Sequence, residues 1–206
     1  MIDLHAVSVA HGSIRALNSV SATVLAGEVT ALAGQNGSGK STLLAVIAGT
    51  QAHTGTVSRD PRLRVAYVVQ RSAVPQSLPL TVRDVVTMGR WGQRGAWRRL
   101  TRADRQIVSA SIRALGLEQL ERRRVHDLSG GQRQRTLVAQ GLAQRADILL
   151  LDEPTVGLDD EARVLIDRAI EREADRGAVI VHATHDTAVI DAAARVIRLD
   201  AGGRTS

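Results

Sequence analysis

The apolar residues in the first third of the chain recur at strand spacing. Strand-type runs extend from Ile2 to Val9, from Val20 to Leu25 and from Val29 to Ala33, with glycine between them. Short β-branched runs bounded by turn residues predict strands. We expect these three to be antiparallel and to lead into the loop that follows, and we expect two further strands near residues 56–57 and 64–69.

The spacing becomes helical after Pro79. Residues 81–88 repeat their apolar positions with a helical period. Thr101, followed three residues later by Asp104, is typical of a helix start, and this second helix is expected to end before Gly116. The face that it buries is predicted to consist of Val108, Ile112 and Leu115.

Strands and helices alternate in the last third of the chain. Residues 146–152 form a strand that is too apolar to have a solvated face. A helix is expected at about residues 160–174, a strand at residues 178–182, and a last helix and strand between residues 186 and 199. This alternation predicts an α/β fold with a mostly parallel sheet. We expect one domain over residues 1–206, with a core of residues 1–70 and 146–206 and an inserted helical subdomain of residues 71–145.

Lys40 is the only lysine among 27 basic residues, the rest being arginine. An ammonium group is a compact charge that the wider guanidinium group replaces poorly in a tight site. Lys40 completes a match to the phosphate-binding pattern G-x-x-x-x-G-K-[ST]. The candidate nucleotide-binding residues are Gly34, Gln35, Asn36, Gly37, Ser38, Gly39, Lys40, Ser41 and Thr42.

The context of this motif favours phosphate binding over a chance match. A short apolar strand at residues 28–33 precedes the glycine-rich loop, and a helix at residues 41–48 follows and ends at Gly49. Strand, loop and helix in this order direct backbone N–H groups and the positive end of a helix dipole at an anion. The expected core is therefore that of a P-loop NTPase (RecA-like), with an antiparallel β subdomain and the helical subdomain added to it.

Composition excludes several kinds of site. The chain has no cysteine, so it forms no disulfide and no thiolate metal site. It has no run of 18 apolar residues and no signal-peptide pattern at its start, so we expect a cytoplasmic location. Tyr67, Trp91 and Trp97 are its only aromatic residues, and this argues against base stacking on nucleic acid.

Positive charge is concentrated in residues 71–145, which hold 15 Arg against 5 Asp or Glu. Such a charge distribution is often only a solvated face. The functional alternatives are an anionic membrane surface or an acidic partner loop, with nucleic acid as the weaker third option.

Asp152 and Glu153 follow the apolar strand at residues 146–152 directly. Carboxylates at the carboxyl end of a parallel strand lie where ligands bind. Beside a phosphate loop, Asp152 would hold Mg²⁺ together with the hydroxyl group of Ser41. Glu153 would then polarise a water molecule for attack on the γ-phosphate.

The pentapeptide at residues 128–132 allows two interpretations. Ser129 and Gln132 fit a capping box that precedes a helix at residues 134–144. Two consecutive glycines, Gly130 and Gly131, are nevertheless costly at a helix start. Both glycines are explained if the backbone here approaches an anion closely and forms a second anion site. Such a site is used most economically if it belongs to another copy of the chain and contacts the nucleotide from the opposite side.

This pentapeptide resembles the signature of ATP-binding-cassette (ABC) ATPases, and five further motifs follow that family's order along essentially the whole chain. They resemble the Walker A loop (residues 34–41), the Q-loop glutamine (Gln70), the Walker B strand with its catalytic base (residues 148–153), the D-loop (residues 156–159, ending at Asp159) and the switch histidine (His185). His5, His53, His126 and His182 are interpreted as structural.

The resemblance implies an ATPase that acts as a homodimer in the ATP-bound state, with residues Ser129 to Gln132 of each chain facing the other's phosphate loop. Lys40, Mg²⁺ and His185 would stabilise charge on the phosphoryl group. Gln70 would contact the Mg²⁺ and couple hydrolysis to the helical subdomain. Three alternatives stay open at this point: transport of another substrate, a soluble ABC protein in DNA repair or translation, and a non-hydrolysing regulatory subunit.

The segments at residues 75–90 and 91–101 resemble the ATPases of zinc, manganese or iron importers. The implied partners are integral-membrane permease subunits and, indirectly, an extracytoplasmic substrate-binding protein; nucleic acid is not expected. The chain would lie peripherally on the inner face of the cell membrane. One departure concerns the adenine: where the family usually has a stacking aromatic residue, this chain has Ala10-His11-Gly12, so His11 is the candidate base contact.

Overall fold

The structure is a computed structural model that describes residues 1–12, 14–69, 79–95, 99–200 and 203. Its strands are β1 (Ile2–His11), β2 (Ile14–Val24), β3 (Val29–Gly34), β4 (Thr54–Ser58), β5 (Val65–Val68), β6 (Ile148–Asp152), β7 (Val179–Thr184) and β8 (Arg195–Leu199). Its helices are α1 (Lys40–Ala48), α2 (Val82–Met88), α3 (Trp91–Arg94), α4 (Arg102–Ala114), α5 (Gly130–Ala143), α6 (Asp160–Asp175) and α7 (Thr187–Ala192). In these described ranges, no helix has the length and apolar character needed to cross a membrane.

Three strands form an antiparallel sheet in the order β2-β1-β4. Its central strand β1 pairs with β2 from Ile2 opposite Val24 to His11 opposite Ile14. The predicted antiparallel strands are thus confirmed for β1 and β2, although β2 begins at Ile14 and not at Val20.

The other five strands form a second sheet in the order β5-β6-β7-β3-β8. Strand β3 pairs in parallel with both β7 and β8, so the prediction that residues 29–33 form an antiparallel strand is wrong. The reason is the crossover: α1 follows β3 and carries the chain away, which a parallel neighbour requires. The expectation of a mostly parallel core is confirmed by β3, β6, β7 and β8.

The residues group into two compact units. The first comprises Met1–Tyr67, Asp147–Glu153 and Glu173–Ser206, and the second comprises Val68–Ala146 and Pro154–Arg172. The division into a core and an inserted helical subdomain, at the boundaries expected from the sequence, stays a prediction. Residues 70–78 and 96–98 of the predicted helical subdomain and its border lie outside the described residues.

The core of the first unit lies between its two sheets and α1. Its fully buried members come from β1, β2, β3, α1, β6 and β7. They include Val7, Leu17, Leu44, Leu150 and Val181. Because β3 and α1 both contribute buried residues to this core, the two ends of the loop that joins them are held in place.

The second unit is built on α2, α4 and α5, which pack against one another. Helices α2 and α4 each begin with a capping box, formed by Thr81 with Asp84 and by Thr101 with Asp104. Each box satisfies N–H groups that the first turn leaves without partners. The buried face of α4 includes Val108 and Ile112, as its spacing predicts.

Candidate phosphate-binding site and its surroundings

The loop between β3 and α1 is tightly wound, and the structure shows why glycine is needed at its individual positions. Gly39 has φ +97°, and a Cβ atom there would lie 2.4 Å from the carbonyl oxygen of Ala16 on β2. A Cβ atom on Gly34 would lie 2.4 Å from the Oγ atom of Ser38. Gly37, by contrast, has φ +83° and open space around it. The loop therefore needs glycine for close packing at its ends and for a left-handed turn in its middle.

Helix α1 begins at this loop without a side-chain cap. Its N-cap residue is Gly39, and its first turn contains no acidic residue. The N–H groups at the start of α1 are thus available to an anion, which the helix dipole also favours. The Oγ atom of Ser38 is buried in the same loop and has no hydrogen-bond partner among the described residues. These features fit a chain of phosphate groups held by the loop.

Lys40, the first residue of α1, is 5% exposed. Its Nζ atom donates hydrogen bonds to the carbonyl oxygens of Gly34 (2.8 Å) and Gln35 (3.1 Å). The same atom lies 3.4 Å from Oε1 of Glu153. The ammonium group is therefore desolvated and aimed into the curve of the loop, where a phosphate oxygen would meet it.

Glu153 follows the end of β6 and is 8% exposed. It has φ +47°, a left-handed conformation that costs a non-glycine residue about 1–2 kcal/mol. Its N–H group donates to the carbonyl oxygen of Ala183 on β7 at 3.0 Å. This bond fixes the turn from which the carboxylate reaches Lys40.

His185 meets the same carboxylate from the end of β7. Its Nδ1 atom lies 3.4 Å from Oε1 of Glu153, and its side chain is 54% exposed. The structure thus gathers Lys40, Glu153 and His185 at one point, from three segments far apart in sequence. A base, a cation and an imidazole at the end of a phosphate loop can activate water and stabilise developing negative charge.

Asp152, the last residue of β6, makes a second contact with this site. It accepts side-chain hydrogen bonds from Ser41 and from Tyr67. Burial raises the pKa of the Asp152 carboxyl and the nearby charge of Glu153 adds to that, whereas the two hydrogen bonds act in the opposite direction. Burial and the charge of Asp152 raise the pKa of Tyr67 to about 12, so its hydroxyl group remains a donor.

The donor set at Asp152 and Ser41 fits Mg²⁺. A carboxylate and a hydroxyl group in contact are the hard oxygen ligands that this ion prefers, and they lie beside the loop assigned to phosphate. Gln70, the third predicted ligand and the predicted coupling residue, lies outside the described residues. Its roles stay predictions.

The second unit contains the pentapeptide at residues 128–132. Ser129 is the N-cap of α5: its Oγ atom accepts from the N–H group of Gln132 (3.3 Å), and its own N–H group donates to the side chain of Gln132 (3.1 Å). The capping box is therefore confirmed, but the helix begins at Gly130 and not at Gln134. The box itself explains the early start, because it pairs the N–H groups of Ser129 and Gln132 on either side of the two glycines and so fixes the first turn.

The two glycines of this pentapeptide differ in their surroundings. A Cβ atom on Gly131 would lie 3.0 Å from the side chain of Leu158, so packing within the unit explains that glycine. A Cβ atom on Gly130 would have no neighbour within 4 Å. Glycine at position 130 is therefore not required by the folded chain itself, which leaves room for the approach of a ligand or partner.

Asp159 and His11 are both exposed, and their contacts do not identify a role in nucleotide binding. Asp159 is exposed, and its Oδ1 atom accepts from the N–H group of Ala162 at 2.8 Å, so it caps α6. His11 is exposed at the end of β1, with no hydrogen bond or ion pair from its ring in the described structure. Because β2 touches the phosphate loop at Ala16, the hairpin end that carries His11 lies near that loop. Nucleotide contacts by either residue remain predictions.

Tyr67 is a site residue that the sequence did not identify. It contacts Asp152, and its hydroxyl group lies 3.4 Å from the carbonyl oxygen of Ser41. The available signal was its position near the end of a predicted strand. That signal becomes informative only once β5 and β6 are known to be neighbours.

Comparison with known proteins agrees with this geometry. The sequence model of the ABC transporter family matches residues 17–156. A zinc import ATP-binding protein, ZnuC of Cereibacter sphaeroides, is 39% identical over 97% of this chain and 79% of that protein. A manganese transport system ATP-binding protein, MntB of Halalkalibacterium halodurans, is 37% identical over 80% of this chain and 68% of that protein.

A solved structure gives the same picture of the fold. The dimeric structure of a bacterial ABC transporter cassette is 27% identical in sequence to this chain and superposes with a TM-score of 0.85. The match covers 100% of this chain and 97% of that one.

Proposed function

This chain belongs to the ABC transporter family, and we propose that it is the ATP-hydrolysing subunit of a transporter whose membrane-spanning part consists of separate permease subunits. The observation that carries this proposal is the meeting of Lys40, Glu153 and His185 beside an uncapped helix N-terminus. A protein that only bound nucleotide would need the loop and the lysine but not the buried carboxylate.

The phosphate loop and Lys40 hold the triphosphate. Backbone N–H groups of residues 34–42 surround its oxygens, and the buried ammonium group balances their charge. Ser41 and Asp152 would hold Mg²⁺, which when bound neutralises charge on the phosphate oxygens.

Glu153 acts as the general base. It accepts a proton from a water molecule as the water oxygen bonds to the γ-phosphorus atom and the bond from that atom to the β,γ-bridging oxygen breaks. His185, at 3.4 Å from the same carboxylate, orients it and donates to the γ-phosphate oxygens. Lys40 stabilises the charge that moves onto the leaving phosphate.

A second copy of the chain completes the site. Ser129 and Gly130 are exposed at the start of α5, and glycine at 130 has no packing role within its own unit. An ATP-bound homodimer explains both features, because the N-terminus of α5 in one copy would then face the γ-phosphate held by the other. Asp159 would lie in the same interface.

The transported substrate is a divalent metal, taken up by the cell. The support is the similarity over most of the chain to one ATP-binding protein named for zinc import and one named for manganese transport. In this scheme the chain lies on the cytoplasmic face of the membrane, and the metal touches only the permease and an extracytoplasmic binding protein. Uptake of zinc or manganese into vesicles that contain the chain and its permease, powered by ATP, would test the assignment. A permease that moves an organic solute would favour transport of another substrate.

The test of hydrolysis is Glu153→Gln. We expect turnover to fall by about 10²–10⁴-fold, the usual contribution of a general base, with ATP binding retained and an ATP-bound dimer that persists in light scattering. Glu171→Gln, which removes an exposed carboxylate from α6, is the control and should change neither readout. Unchanged phosphate release by the Glu153 variant would exclude this carboxylate as the base. Recovery of the chain with ribosomes or DNA in place of a permease would favour the soluble alternatives.

A further inference from the structure

Acidic residues are few in the middle segment of the second unit, and most of them are engaged within the unit. Within residues 71–145 they are Asp84, Asp104, Glu118, Glu121 and Asp127. The first two accept hydrogen bonds in capping boxes, and Asp104 is also fully buried against Arg90. Glu121 pairs with Arg83, and Asp127 lies 3.2 Å from His126. Only Glu118 is exposed and without such a partner among the described residues.

Helix α4 presents arginine on one exposed stripe. Arg102, Arg105 and Arg113, with Ser109 between them, follow the i, i+3, i+7, i+11 spacing that places residues on one side of a helix. All three arginines are exposed, and this side of α4 has no acidic residue. At 1.5 Å per residue the stripe is about 16 Å long.

The stripe continues into a second group of arginines at residues 122–124. The Nη2 atom of Arg83 donates to Oγ of Ser109 in the stripe (3.2 Å), and the same guanidinium group pairs with Glu121. The carbonyl oxygen of Arg123 also accepts from the N–H group at the start of α2. Arg83 therefore joins α4 to the segment that carries Arg122, Arg123 and Arg124, all exposed.

We call the six residues Arg102, Arg105, Arg113, Arg122, Arg123 and Arg124 the arginine surface. The side chains of Arg102, Arg113, Arg123 and Arg124 have no hydrogen bond or ion pair to any described residue. Their charge is thus available to an external partner. Arginine is also the residue best suited to phosphate groups, because its guanidinium fork can bind two oxygens at once.

We propose that the arginine surface binds the anionic headgroups of a lipid bilayer. Three charges on a stripe about 16 Å long and three more on the adjoining segment match several headgroups at once, whereas an acidic loop of a partner would neutralise only a part of them. Single-stranded nucleic acid is the less suitable partner, because the arginine surface includes no aromatic side chain on which a base could stack, and the test below separates duplex DNA from a bilayer. This interaction is additional to docking on a permease and to ATP hydrolysis, and it does not depend on either.

The test uses the purified chain and sedimentation with vesicles. Vesicles of phosphatidylcholine alone should not retain the chain, whereas vesicles with about 30% phosphatidylglycerol should retain it, because the surface potential depends on anionic lipid. Binding should disappear at about 1 M salt, where the Debye length is only about 3 Å. Equal retention by both kinds of vesicle, or by neither, would overturn the proposal.

Two variants with the same net charge distinguish an effect of the arginine surface from an effect of the total charge of the chain. The test variant replaces Arg102, Arg113, Arg123 and Arg124 by Gln. The control variant replaces Arg62, Arg168, Arg172 and Arg198 by Gln, and these four are exposed elsewhere in the chain. Each basic residue near an anionic bilayer contributes about fivefold to binding, so the test variant should lose about two orders of magnitude or more in vesicle affinity.

The control variant should bind vesicles nearly as well as the natural chain, and both variants should keep its rate of ATP hydrolysis. Equal losses in the two variants would show that only net charge matters, and the proposal would then be wrong. Tighter binding of the natural chain to duplex DNA than to the anionic vesicles would also overturn it, in favour of nucleic acid.

Discussion

His182 allows the most quantitative prediction about this fold. It lies on β7 in the middle of the five-stranded sheet, between Ala31 on β3 and Leu151 on β6, and it is 1% exposed. Its Nε2 atom has no hydrogen-bond partner within the described residues. Burial lowers the pKa of His182 to about 4, although the charge of Asp186 opposes this shift. His182 should therefore stay neutral in the folded chain, while the unfolded chain takes up a proton near pH 6.5.

The sign of the effect follows from this difference. Between about pH 6.5 and pH 4 the unfolded chain binds a proton that the folded chain does not, so the free energy of unfolding falls as the pH falls. For these two pKa values, the loss between pH 8 and pH 5 is about 2 kcal/mol. Replacing His182 by Leu, which has a similar volume and no polar atom, should remove this loss. It should also add about 1 kcal/mol at pH 8, because the unpaired nitrogen is gone.

The assay is urea unfolding at pH 8 and pH 5 for the natural chain and for His182→Leu. The difference in unfolding free energy between the two pH values should be smaller by about 2 kcal/mol in the variant. His53→Leu, which changes an exposed histidine before β4, should keep the full pH dependence. If His182→Leu and the natural chain lost the same stability at pH 5, the argument from burial would fail.

Three further substitutions test other parts of the structure. Lys40→Arg should lower the turnover of ATP by about 100-fold or more, because the wider guanidinium group does not fit between the loop carbonyls and Glu153. Phosphate release within a fewfold of the natural rate would contradict this. His11→Tyr should tighten ATP binding by about fivefold or more through base stacking, as measured by calorimetry, whereas His53→Tyr should not. Arg90→Met should lower the free energy of unfolding by about 3 kcal/mol in urea, because it leaves the Asp104 carboxylate buried without its ion pair. Loss of an exposed arginine in Arg99→Met should cost little, and an equal cost in both variants would refute the role given to Arg90.

Local chemistry was readable from the sequence. The phosphate loop, the caps of α4 and α5, and the buried face of α4 all follow from residues close together in the chain. A cap or a left-handed glycine acts on its own turn, so its spacing records its structure. The exact start of α5 does not follow from the sequence in the same way, because at one position two glycines disfavour a helix and a capping box favours it.

Long-range arrangements needed the tertiary structure. The sequence identified Lys40, Glu153 and His185 as candidates only through their motifs, and the contact between them exists because β3, β6 and β7 are neighbours in one sheet. The parallel pairing of β3 and the role of Tyr67 depend on the same strand order. Strand order is decided by which apolar faces bury one another across the whole chain, and no local spacing encodes that choice.

The sequence by itself determined that this chain has a phosphate loop, a carboxylate pair and a glycine-containing signature, because each is a contiguous set of residues. Only the tertiary structure decided which of these groups meet, which glycine lacks a packing role, and which arginines share one surface. The physical reason is that backbone conformation responds to neighbours in sequence, whereas catalytic contacts and surface charge respond to neighbours in space.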